Sequence, residues 1–200
     1  MHPDTREVAE HMRDFGLNVI ARAIYDVTFA ELTKPFAHAL AVIHAAHGAE
    51  IVLKARIAQE HPLLIFKKLP QSSSTEESLT IAELFEFGRS VDYDDLPELL
   101  WATTGIRINR KDRYQEFGRL RNKIMHFAVP EIDHSHEVLS FCIEVLEPLV
   151  FQFWQESAVP LAAHWDEVIL SEGYLDQQLI AHAIQVPPHV RLILDQAQDS

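Results

Sequence analysis

The chain has 200 residues, of which 48% are hydrophobic and 24% charged, an ordinary composition for a globular protein with one sizeable core. Its single cysteine, Cys142, excludes an internal disulfide framework. The absence of a long apolar run, together with a charged N-terminus, argues against a membrane span or a signal peptide, so a cytoplasmic protein is expected.

Apolar residues at three- and four-residue steps predict helices along most of the chain. The predicted helices cover residues 5–29, 35–60, 78–87, 96–103, 111–127, 134–155, 161–170 and 175–184. Ser78 or Thr80 is expected to cap the short helix that ends at Phe87. A loop is indicated at 70–77, a kink or break at Pro148, and a weakly defined tail after Pro187 and Pro188. Four substantial helices with shorter additions predict an all-α bundle of the four-helix type.

The predicted second helix carries three polar residues on its apolar stripe, His47, Glu50 and Lys54. Buried charges are costly unless they are paired, and steps of three and four residues let these side chains pair with one another. A self-satisfied network is one interpretation. The other is that Glu50 reaches across the bundle and orients an arginine of the next long helix.

The helix predicted over 111–127 has two different faces on a wheel of about 100° per residue. An apolar stripe should pack into the bundle; it consists of Phe117, Leu120, Ile124 and Phe127. Arg119, Asn122 and His126 lie on the opposite side, and Arg121 lies on the flank between the two faces. Asn122 is four residues before His126, so it is placed to orient the imidazole.

Arg121 and His126 are five residues apart, which separates them by about 140° around one regular helix. A histidine suits general acid or base catalysis near neutral pH, and an arginine suits phosphate binding and charge stabilisation. One such pair offers a single imidazole for the two roles of general base and general acid. A symmetric dimer formed through the outward face would supply two pairs.

Seven of the 17 basic residues fall between Arg107 and Lys123, opposed there only by Asp112 and Glu116. This window therefore carries +5 within a chain of net charge −13, which leaves −18 elsewhere. Such a patch fits a small anionic footprint such as a stretch of RNA backbone. The candidate RNA contacts are Arg110, Lys111, Arg113, Arg119 and Lys123. The alternatives are a solvated helix face or a contact for the protein's own acidic surface.

The six residues RNKIMH, 121–126, resemble the signature of the HEPN superfamily (higher eukaryotes and prokaryotes nucleotide-binding). That signature is an arginine, a polar residue, about three further residues and a histidine, late in the third helix of a bundle. Arg121, Asn122 and His126 match it one by one. The run 44–55 is similar to the family's second helix, where an acidic residue precedes a lysine. The resemblance covers roughly residues 5–155.

The resemblance implies one HEPN-like domain with its core at about 5–61 and 107–156, an insertion at about 62–106 and a C-terminal extension at about 157–200. It implies a metal-independent, cofactor-free endoribonuclease that cuts RNA as a homodimer, with both motifs facing one cleft. Many members are toxins of toxin–antitoxin pairs or antiviral-defence effectors, which implies an antitoxin or regulatory partner. Other members lack catalysis and serve as binding modules, which is the alternative function.

Two further classes compete with this interpretation. A metal enzyme would use His44 with His47, or the cluster 134–137, but neither has a known ligand spacing, and Asp133 or Ser135 would rather cap a helix. A protein-interaction module would use the C-terminal aromatic residues, which core packing explains equally well. These aromatic residues are Phe151, Phe153, Trp154 and Trp165.

Overall fold

A computed structural model of the chain describes residues 3–29, 36–70, 80–127 and 133–199. Within these ranges the chain is mostly helical, which confirms the predicted helical class, and holds one small two-stranded sheet. The elements in chain order are α1 (Pro3–Thr28), α2 (Ala37–Glu60), a 3₁₀ turn (Pro62–Ile65), β1 (Phe66–Lys68), α3 (Ile81–Phe87), β2 (Arg89–Ser90), a second 3₁₀ turn (Tyr93–Asp95), α4 (Leu96–Thr104), α5 (Lys111–Phe127), α6 (Ser135–Leu139), a π-helical segment (Ser140–Leu146), α7 (Glu147–Trp154), α8 (Val159–Ala162), α9 (Val168–Ser171), α10 (Tyr174–Ala181) and α11 (Pro188–Gln198).

The two longest helices, α1 and α2, pack against each other in antiparallel directions at very close range. A Cβ atom built on Gly48 would lie 2.7 Å from Cγ1 of Ile20 and 3.2 Å from the carbonyl oxygen of Gly16. A Cβ atom built on Gly16 would lie 2.7 Å from Cγ1 of Val52. Glycine at both positions therefore lets the two backbones approach until one helix touches the other's main chain.

Replacement of Gly48 by alanine should destabilise the protein although alanine is the better helix former. The added methyl group meets Ile20 and the backbone of α1, which cannot yield as a flexible side chain can. We expect Gly48→Ala to lower the free energy of unfolding by about 1–3 kcal/mol, the usual cost of overpacking a tight core. Urea titration measures this change, and a Gly48→Ala protein as stable as wild type would contradict the close crossing.

Helix α5 has the predicted bounds, Lys111–Phe127, and packs against α2 and the π-helical segment. The rings of Phe117 and Phe141 stack with centroids 3.9 Å apart and planes 8° apart. The predicted apolar stripe is buried at Phe117 and Ile124, but Phe127 is 78% exposed. The prediction was wrong for Phe127, because this side chain stands at the last residue of α5 and is mostly in solvent, whereas the earlier residues of the stripe pack into the bundle.

The helix predicted over 134–155 is observed as α6, the π-helical segment and α7 in one continuous run. The wider turns end at Glu147, whose N–H donates to the carbonyl of Cys142, five residues earlier. Pro148 is the second residue of α7 and has no N–H to donate to the preceding turn of this continuous run. The predicted irregularity at Pro148 therefore takes the form of a π-helical segment just before the proline.

Described residues of the segment between α2 and α5 contribute to the hydrophobic core. Strands β1 and β2 pair antiparallel with Phe66 opposite Ser90, and Leu96 and Leu100 of α4 are fully buried. Thr80 caps α3 through a capping box with Glu83, as one of the two predicted caps. The other candidate, Ser78, and nearly all of the predicted loop at 70–77 lie outside the described residues.

Two predictions for the C-terminal region were wrong. The helix predicted over 161–170 is replaced by α8 and α9, because the carboxylate of Asp166 accepts the N–H of Val168 at 3.2 Å and starts a new turn. The tail expected after Pro187 is helix α11, whose Val190 and Leu194 are buried. The apolar residues of α11 recur at three- and four-residue steps after a proline in its first turn, so the local sequence does indicate a helix here and the prediction missed it.

The C-terminal aromatic residues mostly have partners within the chain. The Phe151 ring stacks on His189 at 4.3 Å, and Nε1 of Trp154 donates to Oε1 of Gln59 at 3.1 Å. The Trp165 ring lies 6.0 Å from that of Tyr25. Packing within the chain therefore accounts for Phe151 and Trp154, whereas Trp165 is 39% exposed although its ring contacts Tyr25.

One hydrophobic core extends along the chain from Ala9 in α1 to Leu194 in α11. In the described part of the chain, no helix is both long enough and apolar enough to cross a membrane. Cys142 lies fully inside the core, and this burial raises the pKa of its thiol well above the ordinary range, as expected for an inert cysteine.

Candidate functional site

The last three turns of α5 present the predicted polar face to solvent. The exposed polar residues of this face are Arg119, Asn122, Lys123 and His126. The imidazole of His126 lies at the end of the helix, with its ring 6.4 Å from that of Phe127. Asn122 and His126 lie on the same face of α5. Within the described residues no hydrogen bond joins them, so the structure does not show the predicted orienting contact.

Arg121 lies on the flank of α5, as predicted, and is partly buried. Its guanidinium carbon lies 5.1 Å from the centroid of the Tyr93 ring. Its Nε atom is buried and has no hydrogen-bond acceptor among the described residues, and no carboxylate of those residues pairs with the guanidinium. Arg121 is therefore a half-buried cation whose charge remains available to an anionic ligand.

Tyr93 occupies a tightly restrained position beneath this guanidinium. Its ring stacks on that of Tyr114 with centroids 4.3 Å apart and planes 7° apart. The Tyr93 hydroxyl donates to the carbonyl of Tyr114 at 3.2 Å, and the Tyr114 hydroxyl donates to the carbonyl of Tyr93 at 3.3 Å. Burial raises the pKa of both phenols, so both stay neutral at physiological pH.

Gly118 makes room for the Tyr93 ring on α5. A Cβ atom built on Gly118 would lie 2.6 Å from Cε1 of Tyr93, closer than carbon atoms pack. Tyr114, Gly118 and Arg121 follow one another along the same side of the helix at steps of four and three residues. The side of α5 that carries Arg121 is therefore shaped to receive one tyrosine from another segment.

The polar residues of α2 form a smaller network than predicted. Lys54 is only 5% exposed, and its Nζ donates to Oε1 of Glu50 at 2.6 Å and to Oγ of Ser90 at 3.1 Å. His47 is exposed and makes an edge contact with the ring of Phe15. The network interpretation holds for Glu50 and Lys54 but not for His47, whose helical position faces outward.

The predicted contact of Glu50 with an arginine of α5 is not formed, because the carboxylate pairs with Lys54 on its own helix. The charge of Glu50 nevertheless contributes to the raised pKa values of Tyr93, which contacts Arg121, and of Tyr114. This pairing neutralises Lys54. Arg121 has no carboxylate partner among the described residues.

Most of the basic cluster is engaged with acidic or aromatic side chains of the same chain. The partners are Glu144 and Gln185 for Arg110, Glu98 for Lys111, Glu116 and Glu137 for Arg113, and the Trp101 ring for Arg107. In the described ranges Arg119 and Lys123 have no ion pair. Of the five predicted RNA contacts, these two remain free beside His126, whereas the other three serve the protein's own acidic surface.

The histidine clusters considered as metal ligands have other contacts. Nδ1 of His44 lies 3.3 Å from Oδ2 of Asp26, and the Ser135 N–H donates to the Asp133 carboxylate at 2.8 Å. The predicted cap at Asp133 or Ser135 was wrong, because the N-cap of α6 is His134, which makes no side-chain cap hydrogen bond. Across residues 3–29, 36–70, 80–127 and 133–199, no three His, Cys, Asp or Glu side chains are grouped closely enough to hold a metal ion.

His134 should make the protein less stable in mild acid. Burial lowers its pKa, and the neighbouring His38 lowers it further. The unfolded chain takes up this proton near pH 6.5 but the folded chain only below that, so the free energy of unfolding decreases as the pH falls through about 6.5. We expect His134→Gln to reduce this decrease, measured by urea titration at about pH 7 and about pH 5.

The matched control for this measurement is His136→Gln, because His136 is exposed on the same helix. Its pH dependence should follow that of wild type. If the His134 variant and the control both retain the wild-type pH dependence, the buried histidine does not contribute to acid destabilisation.

Sequence reasoning did not identify Tyr93 or Ser90, the two residues that the segment between α2 and α5 contributes to this site. One sequence signal did exist, since a glycine inside a strong helix often marks a close approach by another segment. Gly118 is such a glycine, three residues before Arg121. The signal does not say which residue approaches.

No protein-family model, curated protein sequence or solved structure matches this chain. The functional argument therefore rests on the residues of α5 and their surroundings.

Proposed function

We propose that this chain is a metal-independent endoribonuclease of the HEPN kind, built on a HEPN-type helical bundle and acting as a homodimer in the cytoplasm. The observation that carries the proposal is Arg121, a half-buried guanidinium with no carboxylate partner in the described residues, in a chain of net charge −13. Most other arginines of the described residues form an ion pair with a carboxylate. A restrained arginine without such a partner favours an anionic ligand such as a phosphodiester.

The exposed imidazole of His126 supplies the acid–base chemistry. It accepts the proton of the RNA 2′-hydroxyl while that oxygen bonds to the adjacent phosphorus, and Arg121 stabilises the charge that develops on the phosphoryl oxygens. The bond from phosphorus to the 5′ oxygen breaks, and a second, protonated imidazole donates a proton to the leaving oxygen. The products are a 2′,3′-cyclic phosphate and a 5′-hydroxyl.

A second copy of the chain is part of this proposal for a geometric reason. Arg121 faces Tyr93 on the flank of α5, whereas His126 is exposed about 140° around the helix. Two copies that meet through the polar face around Asn122 and His126 would bring two arginines and two histidines to one phosphate. Arg119 and Lys123 are exposed on the same face and would bind the flanking backbone.

The test is to incubate the purified protein with structured RNA, with and without EDTA. We expect EDTA-resistant cleavage, with products that end in a cyclic phosphate, from a protein that sediments as a dimer. A well-folded protein that cleaves no RNA would contradict the proposal. It would favour the second candidate, a non-catalytic module that binds an anionic ligand, because the free charge of Arg121 would also serve binding alone.

A further inference from the structure

We infer that Tyr93 is a positioning residue for Arg121, so that the segment between α2 and α5 is part of the site. The guanidinium lies over the ring at 5.1 Å from its centroid, a distance at which a cation is attracted to an aromatic face. A carboxylate at this place would also hold the arginine, but it would neutralise the charge and compete with a phosphate. An aromatic face holds the cation and leaves its charge available.

Tyr93 can serve as a support because it is itself held on several sides. It is 4% exposed, it stacks on Tyr114, and it exchanges two hydrogen bonds with that residue's carbonyl and hydroxyl. Gly118 lets the ring touch the α5 backbone. These contacts hold the ring in one orientation, so the guanidinium above it is restrained as well.

The neighbouring charges support the same conclusion. Lys54 is neutralised by Glu50 and contacts Ser90, and Lys67 is paired with the carboxylates of Asp92 and Asp95 on either side of Tyr93. Both lysines near this stretch of chain therefore have a carboxylate partner, whereas Arg121 has none among the described residues. Arg121 remains as the cation that an incoming anion would meet.

The inference predicts different effects for two substitutions of Tyr93. Tyr93→Phe keeps the ring and its stack on Tyr114 but removes the hydroxyl, whereas Tyr93→Leu removes the aromatic face. If the ring positions Arg121, the phenylalanine variant should behave as wild type and the leucine variant should not. A residue that acted only through its hydroxyl would be impaired by both substitutions, because leucine lacks the hydroxyl as well.

The first measurement does not depend on RNA cleavage. In ¹⁵N-labelled protein, the signal of the Arg121 Nε–H group is assigned by its loss in Arg121→Lys. This proton is buried without an acceptor, so its exchange with water should be slow in wild type and Tyr93→Phe. In Tyr93→Leu the exchange should be faster by about tenfold, and equal exchange in all three proteins would overturn the inference.

Tyr93 is buried, so Tyr93→Leu risks unfolding the protein. Gly118→Ala provides a second variant, because the added methyl group pushes the ring away without removing it. It should also increase the exchange of the Arg121 Nε–H group and shift its resonance. A folded Gly118→Ala protein with an unchanged Arg121 signal would overturn the inference on its own.

The activity arm of this inference rests on the proposed ribonuclease function. For RNA cleavage we expect Tyr93→Leu to lower kcat by about tenfold with little change in KM, and Tyr93→Phe to retain wild-type activity. If the wild-type protein cleaves no RNA but the Arg121 signal still changes in Tyr93→Leu, the ribonuclease proposal fails and the positioning role of Tyr93 stands. If the protein cleaves RNA but the Arg121 signal does not change in Tyr93→Leu, only the positioning role of Tyr93 is rejected.

Discussion

Replacement of His126 by glutamine should lower the rate of RNA cleavage by about 10²- to 10⁴-fold, the usual contribution of a general acid or base. The imidazole is exposed at the end of α5, so the substitution removes proton transfer without removing core packing. Single-turnover cleavage of a labelled RNA measures the rate. Unchanged circular dichroism and dimer sedimentation exclude unfolding as the cause.

The matched control is His136→Gln, which removes an exposed imidazole elsewhere in the fold. It should retain the wild-type rate within about threefold, since exposed substitutions away from a site rarely alter it. A His126→Gln protein that cleaves RNA as fast as this control would show that the histidine of the motif is not catalytic.

Arg121→Lys should cause a loss of similar size although the charge is conserved. Lysine cannot present two parallel N–H donors to a phosphate or stack a planar cation on the Tyr93 ring. Arg56→Lys is the control, because this arginine lies on α2 and pairs with Glu60 four residues later on the same helix. Equal activity of the two lysine variants would contradict a specific role for Arg121.

An equimolar mixture of the Arg121→Lys and His126→Gln proteins tests the two-copy arrangement. Mixed dimers contain one intact arginine and one intact histidine of the motif. If the two copies contribute to one site, subunit exchange should restore part of the activity that each variant lacks. Activity that stays at the level of the separate variants would favour a site complete within one chain.

Removal of the Glu147 carboxylate should produce the largest loss of stability of any single charged residue discussed here. Glu147 is fully buried. Its Oε1 atom accepts the N–H of Ala158 at 2.8 Å, and its Oε2 atom lies 3.3 Å from Nε2 of His189 in α11. It thus joins the end of the central bundle to the C-terminal helices.

We expect Glu147→Ala to lower the free energy of unfolding by about 3–5 kcal/mol, because it leaves a buried N–H and an imidazole without their partner. Glu147→Gln keeps the acceptor for Ala158 and should cost less, which leaves a measurable variant if the alanine form does not fold. Urea titration gives both values.

Glu156→Ala is the control for this comparison. Glu156 forms a partly exposed ion pair with Arg13 at 3.4 Å, and such pairs are worth at most about 1 kcal/mol. If Glu147→Ala were as mild as this control, the C-terminal helices would not depend on the buried carboxylate.

The sequence by itself determined the local features of the candidate site. The periodicity of residues 111–127 predicted the observed bounds of α5, because a strong helix depends on contacts among residues three and four apart. The same wheel placed Asn122 and His126 outward and Arg121 on the flank, and the capping pattern at Thr80 predicted the start of α3. These predictions succeeded because each depends on near neighbours in the chain.

Only the tertiary structure decided what surrounds those residues. It directed Glu50 to Lys54 instead of an arginine, and it brought Tyr93 beneath Arg121 from 28 positions earlier in the chain. It also neutralised Arg110 and Arg113 with carboxylates of the π-helical segment and α6. Burial, ion pairing and aromatic contact arise between segments that are distant in sequence, so their outcome depends on how the helices pack.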